Sequence, residues 1–370
     1  MTLFDVKTAG RDDVVPRLAA DVPPFSGKVK VEPEDFVVEE IPAYEPSGEG
    51  EHLFLWIEKR DLSGERLIAH VAKKLGVNRD DIGTAGIKDR RAVTRQYLSV
   101  PAEFDGELES LNEDGVTLLS SSRHRNKLRT GHLAGNKFDL LIRETPEGAI
   151  ERAEAIASMI RQTGFPNLYG DQRFGNQGET LKLGLDLLNG VKRSSDIPRA
   201  RRRFLMRLSI SAVQSVLFNK VLAERMQDGL LATVLAGDVL QKRRTGGLFV
   251  AENVETEQAR MQQGEVSLTG PMFGPKMLAP TGIAAGRESR VLEWIGLTRD
   301  AFTTYRDLSS GTRRPLTVIV PDLVVLTDPL GVRLQFTLPS GAYATSLLKE
   351  FLTSGPQTNA TDDESPPPAE

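Results

Sequence analysis

Gly83-Thr84-Ala85-Gly86-Ile87-Lys88-Asp89-Arg90-Arg91-Ala92-Val93-Thr94-Arg95-Gln96 is the stretch around which the rest of the chain organises. One carboxylate, Asp89, stands between Lys88 and Arg90, directly after a glycine-containing turn and directly before a run that reads as a strand. Cations beside a carboxylate favour its ionised form, which leaves it available as a base or a nucleophile at neutral pH. The chain holds 51 acidic residues, and most acids in a soluble protein are solvated surface groups. A role for Asp89 therefore needs support from distant segments.

Working outward, residues 29–31, 36–41 and 53–57 read as short strands rich in β-branched and aromatic residues, with turn chemistry at Pro33-Glu34-Asp35 and Pro46-Ser47-Gly48-Glu49-Gly50. Ser63 is a good N-cap for a helix whose apolar face is Leu67, Ile68, Val71, Ala72 and Leu75, closed by Gly76. After the opening stretch, 97–100, 116–120 and 138–142 are again strand-like, and Ile150, Ala153, Ile156 and Ile160 share a helical face over 148–163. This order predicts an α+β domain with a mostly antiparallel sheet.

From 164 to 315 the texture turns helical, with helices over 178–188, 204–226 and 288–296 and short strand pieces between 229 and 286. Two strands, 316–326 and 332–338, then flank the hairpin signal Asp328-Pro329-Leu330-Gly331, and a short helix covers 342–351. An isolated hairpin is only marginally stable and needs a larger sheet to join. A discontinuous catalytic domain, 26–163 plus 316–352, with a large α/β domain inserted at 164–315, satisfies that need. Residues 1–25 read as a loosely ordered lead-in, and 353–370, poor in apolar residues, as a disordered acidic tail.

At 370 residues the chain exceeds what a single core usually supports. It has no apolar run approaching the roughly 18 residues of a membrane span and no signal-peptide pattern at its start, so a cytoplasmic protein is expected, with no membrane partner. It contains no cysteine, which excludes disulfides, thiol catalysis and thiolate metal sites, and its four histidines show no metal-ligand spacing, so no metal is expected. Nucleophile-elbow, phosphate-loop and dinucleotide fingerprints are missing too, and no cofactor is expected. The net charge of −4 is matched by Asp362, Asp363, Glu364 and Glu370 of the tail, which leaves a neutral body able to carry a basic face.

Basic clusters occur at Arg123, Arg125, Lys127 and Arg129, at Arg199, Arg201, Arg202 and Arg203, and at Lys242, Arg243 and Arg244. Clustered cations along a path neutralise phosphates, and arginine adds bidentate contacts. Any one such run can equally be a solvated face. Asn136 and Phe138, two apart on an extended run, would point the same way and could hold a planar heterocycle, or they could be a turn Asn and a core Phe.

The ordered motifs Lys30-x-x-Pro33-Glu34-Asp35-Phe36-x-Val38-x-Glu40, Gly48-Glu49-Gly50-Glu51-His52, Ala85-Gly86-Ile87-Lys88-Asp89-Arg90-x-Ala92-Val93-Thr94, His124-x-x-Lys127-Leu128-Arg129-x-Gly131, Gly135-Asn136-x-Phe138, Pro166-Asn167, Gln172-Arg173-Phe174-Gly175 and Leu338-Pro339-x-Gly341-x-Tyr343-Ala344-Thr345 resemble the D family of tRNA pseudouridine synthases, TruD. The resemblance spans roughly residues 26 to 352 and is far more specific than any single motif.

It implies a pseudouridine-synthase-like sheet domain with a family-specific insertion, no cofactor, and tRNA as substrate, at uridine 13. Asp89 would be the catalytic aspartate, as nucleophile or base at the sugar. Lys30 would be its basic partner, and Phe36, Asn136, Phe138 and Tyr343 would line the uridine pocket. Tyr343 stands where the family often has Phe, and Leu168 replaces an aromatic common before Tyr169. Arg123, Arg125, Lys127, Arg129, Arg201, Arg202 and Arg203 would meet the RNA backbone, while Lys88 and Arg90 would face phosphates or solvent. No protein partner is implied, and a monomer is expected. The rival is a non-catalytic structured-RNA-binding protein or RNA chaperone on the same fold, in which Asp89 is a structural ion-pair residue. A carboxylate-pair glycosidase needs two opposed acids, which the adjacent pairs Glu39-Glu40 and Asp80-Asp81 do not supply.

Overall fold

Apolar residues at alternate positions build the first strands: Phe36 and Val38 in β1 (Phe36–Pro42), and Leu53, Leu55 and Ile57 in β2 (His52–Arg60), are buried. A computed structural model describes residues 16–353 except Ile87; 1–15 and 354–370, which hold most of the expected lead-in and acidic tail, lie outside the described residues. Helix α1 (Gly64–Leu75) follows, capped by the Ser63 hydroxyl accepting from Arg66 N and closed by Gly76 at φ 69°. Its Leu67, Val71 and Leu75 pack on Leu53, Leu55, Ile57 and Val100. Strands β3 (Gly83–Thr84), β4 (Val93–Pro101), β5 (Val116–His124) and β6 (Leu133–Arg143) and helix α2 (Ala149–Thr163) complete the first segment.

The chain divides into two compact units, Asp21–Gln162 with the described part of Val320–Pro368, and Thr163–Ile319 with the described part of Met1–Ala20. The second contains β7 (Phe165–Pro166), α3 (Glu179–Leu188), α4 (Arg202–Gln227), β8 (Val239–Lys242), β9 (Leu248–Val250), α5 (Val254–Gln262), β10 (Val266–Met272), α6 (Gly282–Ile295), β11 (Thr312–Pro315) and β12 (Thr317–Val318). The first resumes with β13 (Val324–Asp328), β14 (Gly331–Pro339) and α7 (Ala344–Phe351).

The sheet of the first unit has the order β13-β14-β6-β1-β4-β2-β5, with β3 beside β4. Every neighbouring pair is antiparallel except β1 and β4, which are parallel. The second unit has a four-stranded antiparallel sheet, β11-β10-β8-β9, and the small β12-β7 ladder. The fold is α+β, as its sequence implies.

Local departures have physical reasons. The strand expected at 316–326 is broken by a turn at Pro321-Asp322, since proline donates nothing to a ladder. Its first part pairs with β7 and its second with β14. The strand expected at 29–31 does not form; the only ladder contact beside it, among the described residues, is a bridge between the preceding Lys28 and Arg143. Phe25, placed in the lead-in, is instead core: it is buried, its N–H donates to Phe351 O at 2.9 Å, and its carbonyl accepts from Thr353 N at 3.1 Å. Helix α5, with Asn253 as N-cap, lies where only strand pieces were expected.

In the second unit α4 is buried on most sides, and α3 crosses it closely because Gly184 has no side chain. A β-carbon at 184 would lie 2.2 Å from Ser209 O. Gly184→Ala is therefore expected to force the helices apart and destabilise the protein by about 1–3 kcal/mol, the usual cost of overpacking. Denaturant unfolding checks this, and an unchanged midpoint contradicts it.

Candidate active site

Because β1 and β4 are parallel neighbours, with Val37 opposite Val93, the segments entering them arrive at the same end of the sheet. One carries Lys30 and the other carries Lys88 and Asp89. Lys30 Nζ lies 2.5 Å from Asp89 Oδ2, with the two side chains 11% and 19% exposed. The Lys28 N–H and carbonyl both bond to Arg143, at 2.9 and 2.8 Å, and Lys30 then turns into the left-handed region at φ 57°. A lysine takes that conformation at a cost. The turn ends the strand-like run and aims the ammonium at Asp89. Arg91 Nη2 donates to Val31 O at 2.6 Å and ties the two entering segments together.

Lys88, expected to face phosphates or solvent, is instead buried. Its Nζ lies 3.0 Å from Glu40 Oε2 and donates to Asn136 Oδ1 at 2.6 Å. Glu40 and Asn136 are opposite one another in the β1–β6 ladder and so share a face of the sheet. An ammonium only donates, so it faces the amide oxygen and leaves the Asn136 NH2 to donate elsewhere. Lys59 is a further lysine that no motif marked: it is 0% exposed and donates to the Asp89 main-chain carbonyl at 2.5 Å. Burial drives its pKa down to about 8, against the pull of Asp89 and helped by the nearby charge of Lys88. Strand parity does reveal it, since Lys59 follows Leu53, Leu55 and Ile57 on one face of β2.

The aromatic residues form a chain of contacts beside this cluster. Lys30 Nζ lies 4.3 Å from the Phe36 ring centroid, Phe36 meets Phe138 edge-on at 6.2 Å, and Phe138 stacks on Phe336 at 5.1 Å. Phe138 is opposite Val38 on one side and Phe336 on the other, which fixes that face. The sequence marks Phe336 only as a strand residue; its position opposite Phe138 is what joins it to the site. Tyr343 is half-buried at the N-cap of α7, and Ser340 N–H, just before it, donates to Ala134 O at 3.0 Å. Tyr169 belongs elsewhere: it is buried in the second unit under the Arg314 guanidinium, 4.2 Å from its ring centroid.

The basic residues separate into two kinds. Arg123 pairs with Asp105 at 3.2 Å, Arg125 pairs with Glu49, and Lys127 donates to Asp80 O. Exposed pairs of this sort are worth little and exchange readily. Arg129 is exposed and lines a groove with Tyr44, His124 and His132. Arg201 and Arg203 are exposed in the second unit, and Arg202 donates through Nε and Nη2 to Ile197 O at 3.2 and 3.1 Å.

A family profile described as tRNA pseudouridine synthase D (TruD) matches residues 15–196 and 199–351. A tRNA pseudouridine synthase D of Anaeromyxobacter sp. (strain Fw109-5) is 44% identical over 350 residues, which span 94% of this chain and 99% of that relative. One from Thermus thermophilus is 43% identical over 344 residues, 92% of this chain and 93% of the relative. A Methanosarcina mazei crystal structure solved under the TruD description superposes with a TM-score of 0.76 at 24% identity, covering 96% of this chain and 99% of that one, which bears on the fold alone.

Removing the Lys59 ammonium frees the Asp89 carbonyl. Lys59→Met is expected to lower kcat on the substrate of the site by about 10²-fold, the scale of an ångström-sized misplacement, with KM nearly unchanged; equal kcat contradicts the positioning role. The pH dependence has a definite sign. With its folded-state pKa lowered from 10.5 to about 8, Lys59 sheds its proton in the folded state first. Wild-type stability relative to Lys59→Met should therefore rise as pH increases through about 8 toward 10.5, measured by unfolding at several pH values.

Proposed function

Since the chain belongs to the tRNA pseudouridine synthase D (TruD) family, we propose that it isomerises uridine to pseudouridine in tRNA, at uridine 13, with Asp89 acting on the target nucleotide. The observation that carries this reading is the ion pair of Lys30 with Asp89 at 2.5 Å, set against the Phe36 ring and next to the Lys88-bound Asn136 carboxamide.

The reaction breaks the bond from ribose C1′ to uracil N1, turns the base, and forms the bond from C1′ to C5. N1 gains a proton and C5 loses one, so atoms balance without an oxidant or reductant. The base must first leave its stack at a cost of a few kcal/mol, and stacking on an aromatic side chain returns roughly 1–3 kcal/mol. Phe36 and Phe138 supply the aromatic wall, with Tyr343 as its third member. The Asn136 NH2 donates to a uracil carbonyl. Asp89 acts at the sugar, as nucleophile or as base, and Lys30 keeps it ionised and oriented. Arg123, Arg125, Lys127 and Arg129, together with Arg201, Arg202 and Arg203 of the inserted unit, neutralise the RNA backbone.

Asp89→Asn keeps the shape of the side chain and removes its charge. The variant is expected to bind tRNA within a few-fold of wild type while tritium release from tRNA labelled at uridine C5 falls by roughly 10³-fold or more. Ordinary turnover by this variant overturns the assignment.

A further inference from the structure

The second unit holds a cleft of about 1040 Å³ between the end of α3, the start of α4 and the turn around Tyr305. Its floor is apolar: Leu187 and Met206 are buried against Ile197, with Leu308 and the Tyr305 ring packed on them. Tyr305 is fixed there by its hydroxyl, which donates to Leu187 O at 3.3 Å. Five cations, Lys192, Arg193, Arg199, Arg202 and Arg203, line its walls against one acid, Asp307.

The rim brings four arginines to one concavity. Exposed guanidinium groups such as Arg60, Arg123 and Arg125 face carboxylates. Arg199 and Arg203 are exposed, and their side chains make no hydrogen bond or ion pair among the described residues. Arg202 is held in place by the Ile197 carbonyl, so one cation of the wall is pre-oriented. Lys192 lies 3.8 Å from Asp186, and Arg199, Arg202 and Arg203, which pair with no carboxylate of the rim among the described residues, concentrate positive charge around one concavity and so favour an anion there.

The apolar floor narrows the anion to one class. A duplex presents a continuous phosphate ridge with its bases stacked inside, so it would leave the partly buried Tyr305 and Leu308 unused. A single-stranded segment offers phosphate and an unstacked base together, and the cleft is large enough for a nucleotide.

We propose that this cleft binds an unpaired nucleotide of the RNA substrate, its phosphate held by Arg199 and Arg203 and its base set on the partly buried Tyr305 ring and Leu308. The inserted unit then selects RNA by a single-stranded feature in addition to the target uridine. This deepens the tRNA-modifying reading above and rests on it for the identity of the RNA.

The test uses the full chain and fluorescence anisotropy with a labelled oligocytidylate about eight nucleotides long, within the site size of a single-strand groove and lacking uridine, and a stable duplex of equal charge. Arg199→Glu/Arg203→Glu places the change on exposed side chains, where folding is not at stake. Lys276→Glu/Arg290→Glu, also exposed, makes the same change in net charge elsewhere. The single strand is expected to bind more tightly than the duplex, and the cleft variant to lose about tenfold or more while the control loses less than about threefold at the same ionic strength. Equal losses in both variants, or a duplex bound as tightly as the single strand, overturn the proposal. The cleft variant should also raise KM for tRNA. A wild-type chain that forms no pseudouridine defeats the functional reading, whereas the oligonucleotide arms still decide the cleft.

Discussion

The ion pair between Lys30 and Asp89 is the contact on which the site depends, and it exists because one pair of strands breaks the antiparallel rule of its sheet. With β1 and β4 parallel, the segments entering them emerge at one end, so residues 59 apart in sequence meet at 2.5 Å. An antiparallel pairing would send them to opposite ends. Lys28 anchors one entering segment to Arg143, and Arg91 ties it to the other through Val31, so the left-handed turn at Lys30 is imposed from both sides.

Around Asp89 the charges are crowded. Lys30 meets its carboxylate, Lys59 its main-chain carbonyl, and Lys88 turns away to Glu40 and Asn136. Burial first, and then the neighbouring ammonium groups of Lys88 and Lys30, lower the pKa of Lys59 against the pull of Asp89, so it loses its proton at a lower pH than a free lysine. Buried ion pairs are weak evidence for stability, because desolvation offsets most of their attraction. What these contacts supply is position: the loop is fixed at its carboxylate, at its backbone and at the neighbouring side chain. Stability comes from the apolar cores, among them the packing of α1 on Leu53, Leu55, Ile57 and Val100.

Much of this was readable from residues. The caps Ser63 and Gly76, the alternating strands and the Asp328–Gly331 hairpin are local signals, and each took the conformation its chemistry implies. The motifs that pair Lys30 with Asp89 and set Asn136 near Phe138 were legible only as a set. Other features depend on contacts between distant segments. Nothing near Lys88 in sequence announces Glu40, so an apparently solvent-facing lysine proved buried. Lys59 and Phe336 carry no motif, although strand parity and register place both. The break at Pro321 was signalled by the proline itself and hidden by the β-branched residues on either side.

The proposed chemistry of this arrangement is the isomerisation of uridine. The most direct measurement is to incubate the purified chain with unmodified tRNA transcripts and map pseudouridine at single-nucleotide resolution. One new pseudouridine, at uridine 13, is predicted. No pseudouridine at all, with tRNA still bound, would contradict the account and leave an RNA-binding protein in its place.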